Sequence, residues 1–227
     1  MRVLLLVVSL ALCLPADAQT FRLDSTSGLS LLKVKADVTT YRGRRAVHLV
    51  EVDGVEGHAL ATIAGSNFQN GTIEADMAGV PRANAPEGSR GFVGIAFRVQ
   101  SDASKFECFY LRPTNARADD QLRRNHSTQY ISHPEWPWYR LRKEHGGVYE
   151  SYADMEVGAW TNVKIVVSGT RAQLYVNGSA QPVLIVNDLK LGESGGAVAL
   201  WIGSGTEAWF SNLRLQAGAA PADSANR

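Results

Sequence analysis

From position 21 onward the apolar residues come in short runs, broken every few positions by Gly, Asn and Asp. No long stretch keeps the helical period of about 3.6 residues, whereas several keep the two-residue period of a strand. The pattern predicts strands at 29–38, 45–52, 58–63, 72–77, 91–100 and 105–112, and again at 161–168, 171–176, 182–186, 197–202 and 208–215. Many short strands between turn residues predict an all-β sandwich or barrel. The turns are marked by Asn70-Gly71, Gly169-Thr170, Asn177-Gly178 and Asn187-Asp188, residue types that tolerate tight-turn geometry.

Two of these runs say which side faces the core. In 72–77, Ile73, Ala75 and Met77 share one face, and Thr72, Glu74 and Asp76 the other. In 91–100, Val93, Ile95, Phe97 and Val99 form an expected core face. Phe92, Gly94, Ala96 and Arg98 lie opposite, where the small side chains leave room for something to approach the sheet.

Residues 113–158 break the pattern. The excursion is loop-rich, and alternation within it predicts a strand at 138–143 with Arg140, Arg142 and Glu144 on one face. Long excursions in compact domains tend to be functional or disordered, and the aromatic content of this one argues against disorder. The stretch around it holds His126, His133 and His145, with Arg112, Arg117, Arg123, Arg124, Arg140 and Arg142. Trp136 and Trp138 flank Pro137, either as a stacking platform or as a plug against the sandwich; Trp160 and Trp201 read as core. Flat rings that stack on sugar faces, mixed with fork-shaped donors, suit a polyhydroxylated ligand. The histidines lack the close spacing of a zinc site, so no metal is assigned. The loop at Asp119 and Asp120 offers oxygen ligands for a structural calcium, the one cofactor left open.

The ends and the charge balance narrow the class. Arg2, an apolar run at 3–14, Pro15 and the small-x-small Ala16-Asp17-Ala18 describe a signal peptide over 1–18. The expectation is export to the periplasm or the exterior, with a domain at 19–215 and a disordered tail at 216–227. The apolar run is short of the roughly 20 residues a membrane span needs. A net charge of +1, with no basic run, argues against a nucleic-acid partner. Once Cys13 is removed, Cys108 has no internal partner and reads as a small buried hydrophobe. Asn70, Asn125 and Asn177 fit the glycosylation pattern, two of them as Asn-Gly turns.

One set of motifs is familiar. Trp160-x-x-Val163-Lys164-Ile165, Leu174-Tyr175-Val176-Asn177-Gly178, Gly195-Gly196-Ala197-Val198-Ala199-Leu200-Trp201 and Ala208-x-Phe210-x-x-Leu213 resemble the concanavalin A-like lectin/glucanase and laminin-G-like jelly rolls. Within that group the chain looks similar to the bacterial 3-keto-disaccharide hydrolase domain family, over most of residues 60–215. The resemblance implies a two-sheet antiparallel jelly-roll β-sandwich, with carbohydrate over a concave face or its rim loops. It also implies cleavage of a 3-keto glycoside, with a lectin-like module and a laminin-G-like interaction domain as alternatives. True family 16 glucanases use Glu-x-Asp-x-x-Glu; Glu74 and Asp76 match the first two acids, and Gly79 stands at the third.

The catalytic candidates are therefore Glu74, Asp76, Glu144, His126 and Arg124, with Glu150 as a further carboxylate of the excursion. The carbohydrate-binding candidates are Arg98, Arg112, Arg123, Trp136, Trp138, Tyr139, Arg140 and Arg142.

Overall fold

The computed structural model describes residues 18–54 and 58–218. Along them run β1 (Ala18–Phe21), β2 (Leu29–Leu32), β3 (Val34–Tyr41), β4 (Arg44–Glu51), β5 (Ala59–Ile63), β6 (Gly71–Pro81), β7 (Val93–Val99) and β8 (Phe106–Leu111). Next come α1 (Pro113–Ala116), α2 (Gln121–Arg124), β9 (Thr128–His133), α3 (Trp138–Glu144) and β10 (Glu150–Ser151). The chain closes with β11 (Thr161–Ser168), β12 (Arg171–Val176), β13 (Leu184–Val186), β14 (Ala197–Ile202) and β15 (Thr206–Ala217).

The strands form two antiparallel sheets. One has eight strands in the order β13-β12-β11-β6-β15-β4-β3, with β1 pairing β15. The other has seven in the order β10-β9-β8-β7-β14-β5-β2. Sequence neighbours repeatedly fall in opposite sheets, as in a jelly-roll sandwich. The core lies between the two inner faces. Ile73, Ala75 and Met77 of β6 are buried there as alternation predicts, while Glu74 and Asp76 face out. Opposite them, Ile95, Phe109, Leu200 and Ala61 line up across neighbouring strands in one buried row.

The outer face of the seven-stranded sheet carries a second row. Paired positions run Leu60, Trp201, Gly94, Tyr110, Gln129 and Glu150 across β5, β14, β7, β8, β9 and β10. Directly paired residues project to the same side. A Cβ on Gly94 would stand 2.6 Å from the Cβ of Tyr110. With no side chain between them, the Tyr110 and Trp201 rings approach to 4.7 Å between centroids. The small residues expected on this face thus admit two aromatic rings of the protein itself.

Several expectations are corrected. Residues 138–143 are helical: α3 begins behind Pro137, a residue tolerated at a helix start. Its straight-chain Arg, Leu, Lys and Glu residues are good helix formers, and Arg140 pairs with Glu144 one turn on at 3.0 Å. The helical period puts Arg142 on the side of Trp138 and Arg140 on another, so Arg140, Arg142 and Glu144 do not share one face. The excursion does hold short strands, β9 and β10, at positions that the alternation did not mark. Trp160 packs on the outer face of the eight-stranded sheet, edge-on to Tyr41, and not in the core.

Arg98 also leaves its expected face. β7 places one extra residue between Ala96 and Val99, opposite two steps of β14, and Arg98 takes a left-handed φ of 54°. This bulge turns the fully buried guanidinium toward the far sheet, where it donates to the carbonyls of Gln69, Gly169 and Gly192.

The segment expected to direct export lies, up to residue 17, outside the described residues. The strand at the C-terminal end runs to Ala217, past the expected boundary at 215. Cys108 is free and buried. Asn70 is buried, and its Oδ1 accepts from the Gly169 amide at 2.8 Å. Among the described residues no helix is long and apolar enough to cross a membrane.

Candidate functional site

Over the outer row of the seven-stranded sheet the excursion folds back and leaves a cleft. It consists of three adjoining hollows that share lining residues. The first, of about 240 Å³, is walled by His58, Phe92, Tyr110, Ile131, Trp138 and Trp201 and is mostly apolar. The second, of about 370 Å³, shares Phe92 and Trp138 with it and adds Arg90, Arg112, Asn115, Arg123, His126 and Arg142. The third, of about 650 Å³, shares His126 and Arg142 with the second and adds Leu122, Asn125, Glu150, Ser151 and Tyr152. The second and third fall within the roughly 300–1,000 Å³ of small-molecule sites.

Glu150 is the electrostatic centre. It sits on β10, a strand of two residues that pairs with β9 so that Glu150 meets Gln129. Its side chain is 3% exposed. Arg142 grips it with two nitrogens, Nε at 2.9 Å from Oε1 and Nη2 at 2.6 Å from Oε2. Arg112 Nη1 stands 3.6 Å from Oε2, and His126 Nε2 lies 3.2 Å from Oε1. Arg142, Arg112 and His126 thus converge on one carboxyl group withdrawn from solvent.

Arg112 is equally well fixed. Its Nη1 donates to the His126 carbonyl, and its Nη2 donates to Tyr110 Oη at 2.8 Å and to Gln129 Oε1 at 3.1 Å. Burial raises the Tyr110 hydroxyl to about 12 against the opposing pull of Arg112, so it stays protonated at neutral pH. The Arg112 and Arg142 guanidiniums stand 5.6 and 4.9 Å from the centre of the Trp138 ring. That ring is 43% exposed, so a face remains for a ligand.

His126 follows α2, a short helix capped by the Asp120 carboxylate, which accepts from the Arg123 amide at 3.0 Å. Burial holds the His126 pKa below its ordinary value; Glu150 pulls it up, and Arg142 and Arg112 push it down. The ring is therefore neutral at pH 7. The Glu150 carboxylate beside Nε2 favours the proton on that nitrogen, with a lone pair on Nδ1. Asn115 is nearly buried beside it; its Nδ2 donates to the His126 carbonyl at 3.2 Å, while its Oδ1 has no hydrogen-bond partner.

The structure thus brings His126, Arg112, Arg123, Arg142 and Trp138 to one cleft. It leaves other candidates elsewhere. Glu74 and Asp76 lie on the opposite sheet, where Asp76 accepts from Arg44, Asn162 and Asn212. Glu144 and Arg140 pair on the exposed side of α3, and Arg140 covers Trp136 at 3.9 Å. Trp136 packs against the core, and Tyr139 is 62% exposed. Arg124 does not line the cleft; it donates to Tyr152 Oη at 3.2 Å and stacks over that ring. Tyr110, Gln129, Asn115, Arg90 and Phe92 were not singled out from the sequence as site residues. For Tyr110 the available signal was its alternation with Arg112, and for Phe92 its place on the small-residue face of 91–100; for Gln129, Asn115 and Arg90 there was none.

No family model matches the sequence, and no curated protein matches it. Solved structures do resemble the fold. The carbohydrate binding module CBM66 from Bacillus subtilis superposes with a TM-score of 0.55 at 13% identity, over 83% of this chain and 96% of that one. A protein of unknown function with a galectin-like fold, also from Bacillus subtilis, gives 0.60 at 12% identity, over 89% and 97%. A Crh5 transglycosylase in complex with NAG gives 0.52 at 10% identity, over 91% and 88%. At these identities the likeness establishes the architecture, a galectin-like two-sheet jelly roll.

Proposed function

We propose that the protein is an exported carbohydrate-active domain that binds a glycoside in this cleft and cleaves it as a 3-keto glycoside. The observation that carries the reading is the convergence of neutral His126 with Glu150, Arg112 and Arg142 beside the Trp138 ring. The neighbours named as a carbohydrate binding module and a transglycosylase are consistent with it.

The chemistry follows from the residues lining the cleft. Glycoside hydrolysis by two carboxylates needs a pair of acids across the bond. Among the described residues that line the three hollows the one acid is Glu150, and Arg142 already holds both its oxygens. A 3-keto sugar has a second route. Its carbonyl acidifies the proton on C2, and His126 Nδ1 takes that proton as the general base. Charge moves to the C3 oxygen, where Arg142 stabilises it. The enolate then collapses, the C1–O bond breaks, and the imidazolium returns its proton to the leaving oxygen. Water adding across the resulting enone completes the hydrolysis. Glu150 orients His126 and stabilises its charged form during the step.

The partly exposed Trp138 face also favours a second reading, a lectin-like module that binds sugar without turnover. One assay separates the two. A panel of glucosides and their 3-keto derivatives is offered to the wild type and to His126→Ala. Turnover of the keto sugars alone, lost in the variant, supports the enzyme. Sugar binding by calorimetry with no turnover of any panel member makes the protein a binding module.

A further inference from the structure

The chain as a whole is almost neutral, at +1. The middle hollow of the cleft is not. Arg90, Arg112, Arg123 and Arg142 line it, and no carboxylate does. Glu150 lines the adjoining hollow, and it draws on Arg112 and Arg142 alone of the four. Four guanidinium groups therefore face one carboxylate, and His126 between them is uncharged.

The donors are not all engaged. Arg142 directs Nε and Nη2 at Glu150, which leaves Nη1 for a ligand. Arg90 Nη1 donates to the Glu87 and Ser89 carbonyls, contacts that satisfy hydrogen bonds and neutralise no charge. Arg123 stands exposed at the rim on α2. Closing such a cleft over a neutral ligand would strip water from uncompensated cations, which is costly. Closing it over an anion would not, and planar forks match the paired oxygens of a carboxylate or sulfate.

A bare anion does not meet the rest of the hollow. Asn115 lines the same space and is uncharged, its Nδ2 already donating to the His126 carbonyl. Trp138 lines the hollow as well and offers a ring face for the sugar itself.

We propose that the middle hollow takes an acidic saccharide: a sugar whose carboxylate or sulfate ester lies between Arg90, Arg123 and Arg142, with its ring against Trp138. The inference rests on the reading of the cleft as a carbohydrate site and names the class of sugar it takes.

Calorimetry with the full chain tests it on three probes: a methyl glucoside, the matching methyl glucuronide and the matching 6-sulfate. The expected result is that an acidic probe binds at least roughly tenfold more tightly than the neutral one, the size of a charge-assisted hydrogen bond. The advantage shrinks as salt is raised. In Arg90→Gln/Arg123→Gln the ratio of acidic to neutral affinity falls toward one, with an unchanged melting temperature as the folding control. The glucuronide and the sulfate arms tell which anion is preferred. Equal affinity for the neutral and acidic probes overturns the charge preference and leaves the sugar site standing. No binding of any of the three overturns both. A preference that survives in the double variant overturns its assignment to these arginines.

Discussion

His126 Nε2 lies 3.2 Å from Glu150 Oε1, and the two residues reach that distance from opposite ends of the excursion. The contact favours the tautomer protonated on Nε2, with Nδ1 as the acceptor. Burial keeps the ring neutral. Its folded pKa lies below 6.5, so the base form persists down to that pH. The rate on a 3-keto glycoside is expected to hold at pH 6.5 and to fall on the acid side only below it. His126→Ala is expected to lose roughly 10²–10⁴-fold in turnover, the usual worth of a general base. A pH–rate profile of both proteins measures this.

Glu150→Gln probes the same contact from the other side. It leaves Arg112, which is buried, and the inner part of Arg142 without a counter-charge. Breaking a buried pair by removing one partner costs about 3–5 kcal/mol. Urea denaturation is expected to show a loss of that order, with an unchanged dependence on denaturant.

The two tryptophans around Pro137 are expected to part company. Trp138→Ala removes a ring that lines the cleft, and weakens sugar binding by about 1 kcal/mol, roughly fivefold. Trp136→Ala removes a ring packed under Arg140 and against the core. It is expected to cost about 1–3 kcal/mol of stability and to leave binding in place. Calorimetry and thermal melts on the pair distinguish the roles.

Gly94→Ala tests the outer row. The added Cβ would lie 2.4 Å from the Phe109 carbonyl oxygen and 2.6 Å from the Tyr110 Cβ, both on a neighbouring strand that cannot easily move. Overpacking of this kind costs roughly 1–3 kcal/mol. A fall in melting temperature with disturbed near-ultraviolet circular dichroism is the expected reading.

His58, at the apolar end of the cleft, governs acid stability. Burial, with smaller contributions from His133 and Lys33, lowers its pKa from 6.5 to about 4. Between those values the unfolded chain takes up a proton that the folded protein refuses. The stability tied to His58 is therefore complete above pH 6.5 and is lost as pH falls toward 4. The full shift corresponds to about 3 kcal/mol. Unfolding measured across that window is expected to be steeper in the wild type than in His58→Gln.

Local alternation determined much of the sandwich. Ile73, Ala75 and Met77 face the core because a strand repeats every two residues, and burial of one face leaves no other register. Asn-Gly and Gly-rich turns punctuate the strands for equally local reasons. The sequence also concentrated arginine and aromatic residues in one excursion, and five of its candidates do meet in the cleft.

Three particulars were decided only in the folded chain. One added residue in β7 took Arg98 from the cleft face to the interior, because a bulge reverses the alternation that a linear reading assumes. A helix of about two turns after Pro137 set Arg142 beside Trp138 and sent Arg140 to Trp136, since the period changed from two to about 3.6. Glu150 became the centre of the site through the pairing of a two-residue strand with β9, across 20 intervening positions. That pairing, like the approach of Arg112 from just past the end of β8, is a long-range contact. Its partners are chosen by the packing of the whole sandwich and leave no mark in the residues on either side.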